Sequence, residues 1–181
     1  MKLLSLDLEL NQPSGKIIQI GAVVGDTTNG DILERYRAYV DPKEPLQQFI
    51  IDLTGITETD IKSKGTDIVT AYKGLKDMHM RHDCFINPVT WGGGDSAELL
   101  EQLPANDGSI QWPFGRRWID AKTIHVTKMI SQGQVFSGGL SKSMTRYNMK
   151  FQGRAHDALD DAENTWRLYY HMIYMMRHGE F

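Results

Sequence analysis

The chain has 181 residues, of which 40% are hydrophobic, and its formal net charge at pH 7 is −3. Its length fits one domain over residues 1–181, and its composition excludes a largely disordered chain. The slight negative charge excludes a polycation, so any nucleic acid would bind through a local basic patch or through metal ions.

The single cysteine, Cys84, cannot form an internal disulfide, and no cysteine–histidine cluster has the spacing of a zinc site. The first ten residues, MKLLSLDLEL, include two acids and do not resemble a signal peptide. No apolar run of about 18 residues occurs anywhere in the chain. We therefore expect a cytoplasmic protein without a membrane-spanning segment.

The first forty residues carry three strand patterns. In KLLSLDLEL the leucines at even positions alternate with Ser5, Asp7 and Glu9, which is the period of two that a strand produces. KIIQIGAVVGD is apolar enough for a buried strand, and the Asn29-Gly30 pair after it is typical of a tight hairpin turn. ILERYRAYV alternates again, so three consecutive strands are expected.

Helical patterns dominate the rest of the chain. PLQQFIIDLTGIT predicts a short helix that ends near Gly55, and Thr57 or Thr59 is a suitable cap for the next helical run. DCFINPVTW predicts a fourth strand, which Pro88 restricts to an edge or bulged position. A long helix is expected from about Ala158 onward. This succession indicates an α/β domain with a mixed sheet.

Asp7 and Glu9 are two residues apart on the first predicted strand, so their side chains point to the same face. Their Cα atoms should lie about 6.5–7 Å apart, and carboxylates that close repel each other unless a cation lies between them. Oxygen ligands of this kind suit Mg²⁺ or Mn²⁺. The alternative is a solvent-exposed polar face of an edge strand, and these two residues do not decide between the interpretations.

The segment GRAHDALDDAENT, residues 153–165, places four acids behind one histidine. The helix macrodipole explains Asp157 and Asp160, which lie at the start of the predicted helix. It does not explain His156. Because His156 and Asp161 are five residues apart, they would not share a helix face, and they converge only if His156 lies on the loop before the helix.

A further acid, Asp95, follows three glycines in TWGGGDSAELL. The glycines allow the backbone to turn sharply or to approach a ligand closely, and a helix is predicted to begin at this point. Asp95 is therefore either a ligand or an ordinary N-cap or first-turn acid of that helix.

These segments, in this order, resemble the DEDDh family of 3′→5′ exonucleases over nearly the whole chain. LDLEL matches the first family motif, D-x-E on the first strand, with Asp7 and Glu9. WGGGD matches the second, an acid early in a helix, with Asp95. HDALDD matches the third, H-x₄-D, with His156 and Asp161, and the histidine separates the chain from the sister group that has a tyrosine motif.

The resemblance implies a ribonuclease-H-like fold, with a mixed sheet of about five strands, the first three antiparallel, flanked by helices. It also implies two ions of Mg²⁺ or Mn²⁺. Asp7 would bridge the ions, Glu9 and Asp161 would complete the tighter site, and Asp95 would help to hold the second ion. His156 would take a proton from the attacking water, since histidine ordinarily titrates near neutral pH. The product would be a nucleoside 5′-monophosphate.

The resemblance extends to substrate binding. DLTGIT is similar to a segment that packs on the terminal nucleotide in many members, which implies contacts from Leu53 and Thr54. Many relatives have a Thr-Gly pair after the first motif, whereas this chain has Leu10 and Asn11. We expect backbone amides at these two positions to contact the 3′ hydroxyl group.

The segments WGGGD, WPFGRRWID and GRAHDALDDAENT look most like the histone-mRNA 3′-exonuclease group and its small bacterial relatives. Single-stranded RNA or DNA 3′ ends are therefore the expected partners, with RNA slightly favoured. Pro88 interrupts the strand that should precede Asp95, so Asp83 and Asp120 are weaker alternatives for the second-motif ligand.

Two other functions compete with a metal-dependent 3′→5′ exonuclease. One is a non-catalytic module that binds nucleic-acid ends or a polymerase, which the presence of all five motif residues disfavours. The other is a metal protein that uses the acids only for structure. The methionine-rich segment HMIYMM is interpreted as core or as the contact face of a possible homodimer.

Overall fold

The computed structural model describes residues 1–105 and 110–181. Within these ranges one sheet contains the strands β1 (Lys2–Leu10), β2 (Ile17–Asp26), β3 (Ile32–Val40), β4 (Gly65–Thr66), β5 (Val89–Thr90) and β6 (Ile119–Asp120). The helices are α1 (Gln48–Thr54), α2 (Glu58–Lys64), α3 (Ile68–Arg81), α4 (Asp95–Gln102), α5 (Ala121–Ser131), α6 (Leu140–Thr145) and α7 (Ala158–Arg177).

The strands are ordered β4–β3–β2–β1–β5–β6 in the sheet. The first three strands of the chain pair antiparallel, in a register that places Asp7 opposite Gly21. β5 runs parallel to β1, β6 parallel to β5, and β4 parallel to β3. The predicted α/β fold with a mixed sheet is confirmed, although the described ranges contain six strands rather than about five.

The expected edge or bulged position of the strand after Pro88 is wrong. β5 lies inside the sheet, between β1 and β6. Pro88 stands directly before β5, so the N–H group that proline lacks is not needed in the strand pairing. Its carbonyl oxygen still accepts the N–H of Ile119 over 2.8 Å.

Both faces of β1 are covered. Leu4 and Leu6 belong to the core on one face, which also contains α3 and α4 side chains such as Leu75 and Leu99. Ser5 lies on the other face, fully buried, and its hydroxyl donates to the carbonyl of Ala162 in α7 over 2.8 Å. The predicted alternation is correct, but the polar face packs against a helix instead of facing solvent.

α7 packs directly across β1 and β2 because Gly21 has no side chain. A Cβ atom added at Gly21 would lie 2.0 Å from the carbonyl carbon of Ala158, which is the first residue of α7. Since Gly21 pairs with Asp7, this close approach brings the first turn of α7 next to the acidic part of β1. Further along the helix, Trp166 is fully buried in the core on this face.

The helix starts agree with the sequence signals. Thr57 caps α2 through a capping box with Asp60, and α7 begins at Ala158, as predicted. No helix within residues 1–105 and 110–181 combines the length and the apolar character that a bilayer crossing requires.

Candidate functional site

Segments far apart in the chain meet near the carboxyl end of β1. β1 carries Asp7 and Glu9, α4 begins with Asp95, α7 carries Asp161 in its first turn, and His156 lies just before α7. All of these except Asp95 line one cavity of about 740 Å³. Asp95 lies close enough for its charge to act on both Asp7 and Glu9. The structure therefore brings the five motif residues together.

The tightest part of this site contains Glu9, His156 and Asp161. One possible ligand atom from each side chain lies within 4.8 Å of the other two. Asp7 and Asp95 are not part of this group of three. The histidine ring therefore lies within reach of the same ion as the two carboxylates.

His156 lies in a turn that precedes α7. Its backbone φ angle is 63°, in the left-handed region, and its N–H donates to Oδ2 of Asp161 over 2.8 Å. Asp157 is the N-cap of the helix and accepts the N–H groups of Leu159 and Asp160. Because the chain changes direction at His156, two residues that would not share a helix face can converge.

The remaining acids of this segment have structural partners. Asp157 caps α7, and the carboxylate of Asp160 accepts the backbone N–H of Arg154 over 2.7 Å. Glu163 forms an ion pair with Arg35 over 2.7 Å. The contacts of Asp157 and Asp160 agree with their interpretation as helix-start charges, and Glu163 likewise has a structural partner outside the cavity.

Asp95 is the first residue of α4, directly after the N-cap Gly94. The glycine loop before it is fixed by Asp120, whose carboxylate accepts the N–H of Gly92 over 2.9 Å and also caps α5. Asp120 thus has a structural role, and Asp83 lines a separate cavity. Asp95 is the best-placed candidate for the second-motif ligand.

Burial and mutual repulsion disfavour ionisation of the four clustered carboxyls. Burial raises the pKa of Asp7 well above its ordinary range, and the charges of Asp95, Asp161 and Glu9 raise it further. Burial, with smaller contributions from neighbouring aspartates, raises the pKa of Glu9 to about 8. Burial also raises the pKa values of Asp95 and Asp161 to about 6, against the opposing effect of backbone N–H groups.

This donor set fits a divalent metal ion. Carboxylate oxygens are the ligands that Mg²⁺ and Mn²⁺ prefer, and a cation among the acids would offset their repulsion and desolvation. The alternative interpretation of Asp7 and Glu9, an exposed face of an edge strand, is wrong. β1 lies inside the sheet, and Glu9 is only 9% exposed.

Comparison with known proteins agrees with this chemistry. The model of the Exonuclease family (RNase_T) matches residues 5–169, which include every residue of the cluster. The chain belongs to the Exonuclease family. Human ERI1 exoribonuclease 2 is 26% identical over 180 residues, and the matched region covers 88% of this chain but 26% of that protein. This exonuclease-family chain therefore spans about a quarter of that relative's length.

Two solved structures share the fold of this exonuclease-family chain. The nuclease domain of 3′hExo, a DEDDh family member bound to rAMP, has a TM-score of 0.78 and 22% identity, covering 99% of this chain and 94% of that one. The Mg²⁺- and Mn²⁺-bound form of S. pombe Pop2p has a TM-score of 0.70 and 19% identity, covering 98% and 84%. The predicted exonuclease family and ribonuclease-H-like fold are confirmed.

A second, apolar groove adjoins the acidic cluster of this exonuclease-family protein. Leu10, Phe49 and Leu53 line it together with Glu9, and its volume is about 550 Å³. Phe49 and Leu53 are 58% and 39% exposed. They are four residues apart on α1 and therefore share a helix face. Phe49 was not among the residues predicted from the sequence, although its spacing from Leu53 is the signal that identifies it.

Thr54 and Asn11 have supporting positions beside this groove. Thr54 is 3% exposed, and its hydroxyl donates to the carbonyl of Ile50 over 2.8 Å. Asn11 is 1% exposed, and its side-chain oxygen accepts the N–H of Gln47 over 3.1 Å. Its backbone N–H already donates to the carbonyl of Lys16 over 2.7 Å. Both residues therefore support the walls of the groove, and their expected contacts with the nucleotide stay a prediction.

The raised pKa values predict that the metal-free protein loses stability as the pH rises. Glu9 has a pKa of about 8 in the folded protein, whereas a glutamate in an unfolded chain titrates near 4.3. The folded state therefore holds more protons between these values. The stabilising contribution is complete below about pH 4.3 and is lost as the pH rises through 8, with Asp95 and Asp161 adding their part near pH 6.

We expect the melting temperature in chelator to fall by a few degrees between pH 5.5 and 8.5, since about 1 kcal/mol corresponds to about 2–4 °C at this size. Saturating Mg²⁺ should stabilise the protein more at pH 8.5 than at pH 5.5, because the ion binds the deprotonated acids. Thermal unfolding with and without Mg²⁺ measures both effects. A melting temperature in chelator that rises across this range would contradict the assignment.

Proposed function

We propose that this chain is a metal-dependent 3′→5′ exonuclease that shortens single-stranded nucleic acid from its 3′ end. The convergence of Asp7, Glu9, Asp161 and His156 at one cavity, with Asp95 beside them, is the observation that carries this proposal. Membership of the Exonuclease family supports the same reaction class. The name of one relative, ERI1 exoribonuclease 2, supports RNA as the preferred substrate.

Two divalent ions, Mg²⁺ or Mn²⁺, are the proposed cofactors. Asp7 would contact both ions, Glu9 and Asp161 would hold one of them, and Asp95 would help to hold the other. When bound, the ions would stabilise negative charge on the attacking and leaving oxygens of a phosphodiester. The structure of Pop2p with Mg²⁺ and Mn²⁺ supports this choice of metals on the same fold.

His156 is the proposed general base. A ring nitrogen lies within 4.8 Å of carboxylate oxygens of Glu9 and Asp161, so the imidazole faces the acidic part of the cavity. In its neutral form the imidazole can accept a proton from a water molecule held there. The bond from its backbone N–H to Asp161 keeps the turn, and therefore the base, in a fixed position relative to the carboxylates.

The terminal nucleotide is proposed to bind in the apolar groove beside Glu9. Phe49 and Leu53 present apolar surface on which a base can stack without sequence preference. With the terminal nucleotide in this groove, the phosphate on its 5′ side would reach the carboxylates. Hydrolysis at that phosphate releases a nucleoside 5′-monophosphate and leaves a new 3′ hydroxyl on the shortened strand.

Phe49→Ala is expected to lower kcat/KM for an oligonucleotide about 5- to 150-fold, since one base–aromatic contact contributes about 1–3 kcal/mol. The loss should appear mainly in KM, because the residue binds the nucleotide and does not take part in bond cleavage. Phe85→Ala is the matched control. Phe85 is 40% exposed but donates its N–H to Lys2, at the far end of β1. Equal effects of the two substitutions would contradict the groove assignment.

Substrate panels would test the proposed function. Matched 5′-labelled RNA, single-stranded DNA and blunt duplex are incubated with Mg²⁺, Mn²⁺ or chelator, and product lengths are followed over time. The proposal predicts stepwise shortening from the 3′ end, fastest on single-stranded RNA and absent in chelator. Tight binding of all three substrates without shortening would instead identify a non-catalytic module that binds nucleic-acid ends.

The match to residues 5–169 supports the proposal that residues 1–181 form one exonuclease domain. A homodimer is proposed through the end of α7. Met172 is fully buried in the core, whereas Tyr174 and Met176 are 45% and 46% exposed. Sedimentation of the wild type and of Met176→Lys would test this contact.

A further inference from the structure

The cavity that the acidic cluster lines has a second wall, which has no role in the proposed catalysis. Residues 138–142 and Thr145 form this part of the lining, from the start of α6 and the loop before it. Lys142 is the only lysine or arginine among the described residues that line the cavity. The other charged or titratable groups in the lining are three carboxylates and His156.

The Lys142 side chain is held in place by its own loop. A Cβ atom added at Gly138 would lie 2.5 Å from Cδ of Lys142, and the φ angle of Gly138 is 101°. The lysine stem can therefore pack on the bare backbone only because residue 138 is glycine. The ammonium group donates to the hydroxyl of Ser137 over 3.1 Å.

Within residues 1–105 and 110–181, the ammonium group of Lys142 has no anionic partner. Among the residues described, it takes part in none of the ion pairs with carboxylates. A lysine ammonium has three N–H donors, and the bond to Ser137 uses one of them. The hydroxyl of Thr145, on the same wall, already donates to the carbonyl of Lys142 over 2.7 Å. The ammonium group of Lys142 is the charged donor on this wall.

We propose that Lys142 binds the phosphate one nucleotide upstream of the phosphate that is cleaved. This inference rests on the proposed exonuclease function. In the proposed reaction, the cleaved phosphate lies at the carboxylates with the metal ions. Lys142 lies on a different element, α6, and its ammonium group can bind a second phosphate. A nucleic-acid strand supplies that anion as its next phosphate, and Lys142 thereby selects polymers over mononucleotide esters.

The test compares two substrates that differ in this phosphate. A single-stranded oligonucleotide has the upstream phosphate, and thymidine 5′-monophosphate p-nitrophenyl ester has only the phosphate that is cleaved. Lys142→Met is expected to raise KM for the oligonucleotide about tenfold, as for the loss of one hydrogen bond to a charged group. It should also reduce the slope of log KM against log salt by about 0.7. Hydrolysis of the p-nitrophenyl ester should remain unchanged.

Lys142→Arg should restore most of the oligonucleotide binding. Lys62→Met is the matched control, because Lys62 lies on the exposed surface of α2. An equal loss on both substrates would place Lys142 at the cleaved phosphate and overturn the inference, as would no effect on either substrate. Fluorescence anisotropy with a labelled oligonucleotide gives a second measurement that needs no turnover. If the wild type hydrolyses neither substrate, the exonuclease proposal fails, and unchanged anisotropy in Lys142→Met then overturns the phosphate contact separately.

Discussion

Asp7→Asn is expected to reduce turnover of a single-stranded oligonucleotide by about 10³-fold or more, because several kcal/mol of charge stabilisation depend on the metal ions. The same substitution should stabilise the metal-free protein. Asp7 is a carboxyl whose ionisation is opposed by burial and by the charges of neighbouring acids. Single-turnover kinetics in Mg²⁺ and thermal unfolding in chelator measure the two effects, and their opposite signs separate a lost metal site from a damaged fold.

Glu163→Gln is the matched control for Asp7→Asn. Glu163 is an acid of α7, and its carboxylate pairs with Arg35 away from the cavity, with a side chain that is 19% exposed. Because such surface pairs contribute only about 0–1 kcal/mol, turnover should remain within about twofold of the wild type. Full activity of Asp7→Asn would contradict the metal assignment. Lower stability of that variant in chelator would contradict the electrostatic account of the cluster.

His156→Asn is expected to lower the rate by about 10²–10⁴-fold, which is the usual contribution of a general base. Asparagine is chosen because the φ angle of His156 is 63°, and asparagine tolerates the left-handed region better than alanine does. The rise in melting temperature caused by Mg²⁺ should persist in this variant, since the proposed ligands are the four carboxylates. Rate measurements and thermal unfolding on the same samples test both parts.

Thermal unfolding is needed beside the rate because the ring of His156 is close enough to Glu9 and Asp161 to act as a metal ligand itself. If His156→Asn loses the effect of Mg²⁺ on melting along with the rate, the histidine is a ligand and the base is misassigned. His178→Asn is the control, because His178 is an exposed residue directly after α7. That variant should retain both the wild-type rate and the effect of Mg²⁺.

Local patterns were sufficient for several parts of this site. The alternation in KLLSLDLEL predicted that Asp7 and Glu9 share a face of β1, because strand geometry alone determines that relation. The pattern after residue 157 predicted that α7 starts at about Ala158, whereas a loop position for His156 was only the condition for its convergence with Asp161. The order of the acidic motifs then indicated a family, since each motif alone is compatible with an ordinary helix start or strand.

Other features depend on packing that no local pattern contains. β5 has two residues, and its place inside the sheet follows from pairing with β1 and β6, far away in the sequence. The side chain of Asn11 is buried against the segment before α1, a contact between positions 36 residues apart that no local pattern indicates. No sequence pattern singled out Lys142, because its place in the cavity depends on how α6 folds back toward β1.

The product released from a 3′-end-labelled single-stranded RNA in Mg²⁺ tests the proposed 3′→5′ exonuclease activity most directly. We expect that the label leaves first as a nucleoside 5′-monophosphate, that chelator stops its release, and that added Mg²⁺ restores it. Release of the label on a longer fragment would show an internal cut and contradict 3′→5′ exonuclease action. Release that continues in chelator would contradict the role of the carboxylates as a metal site.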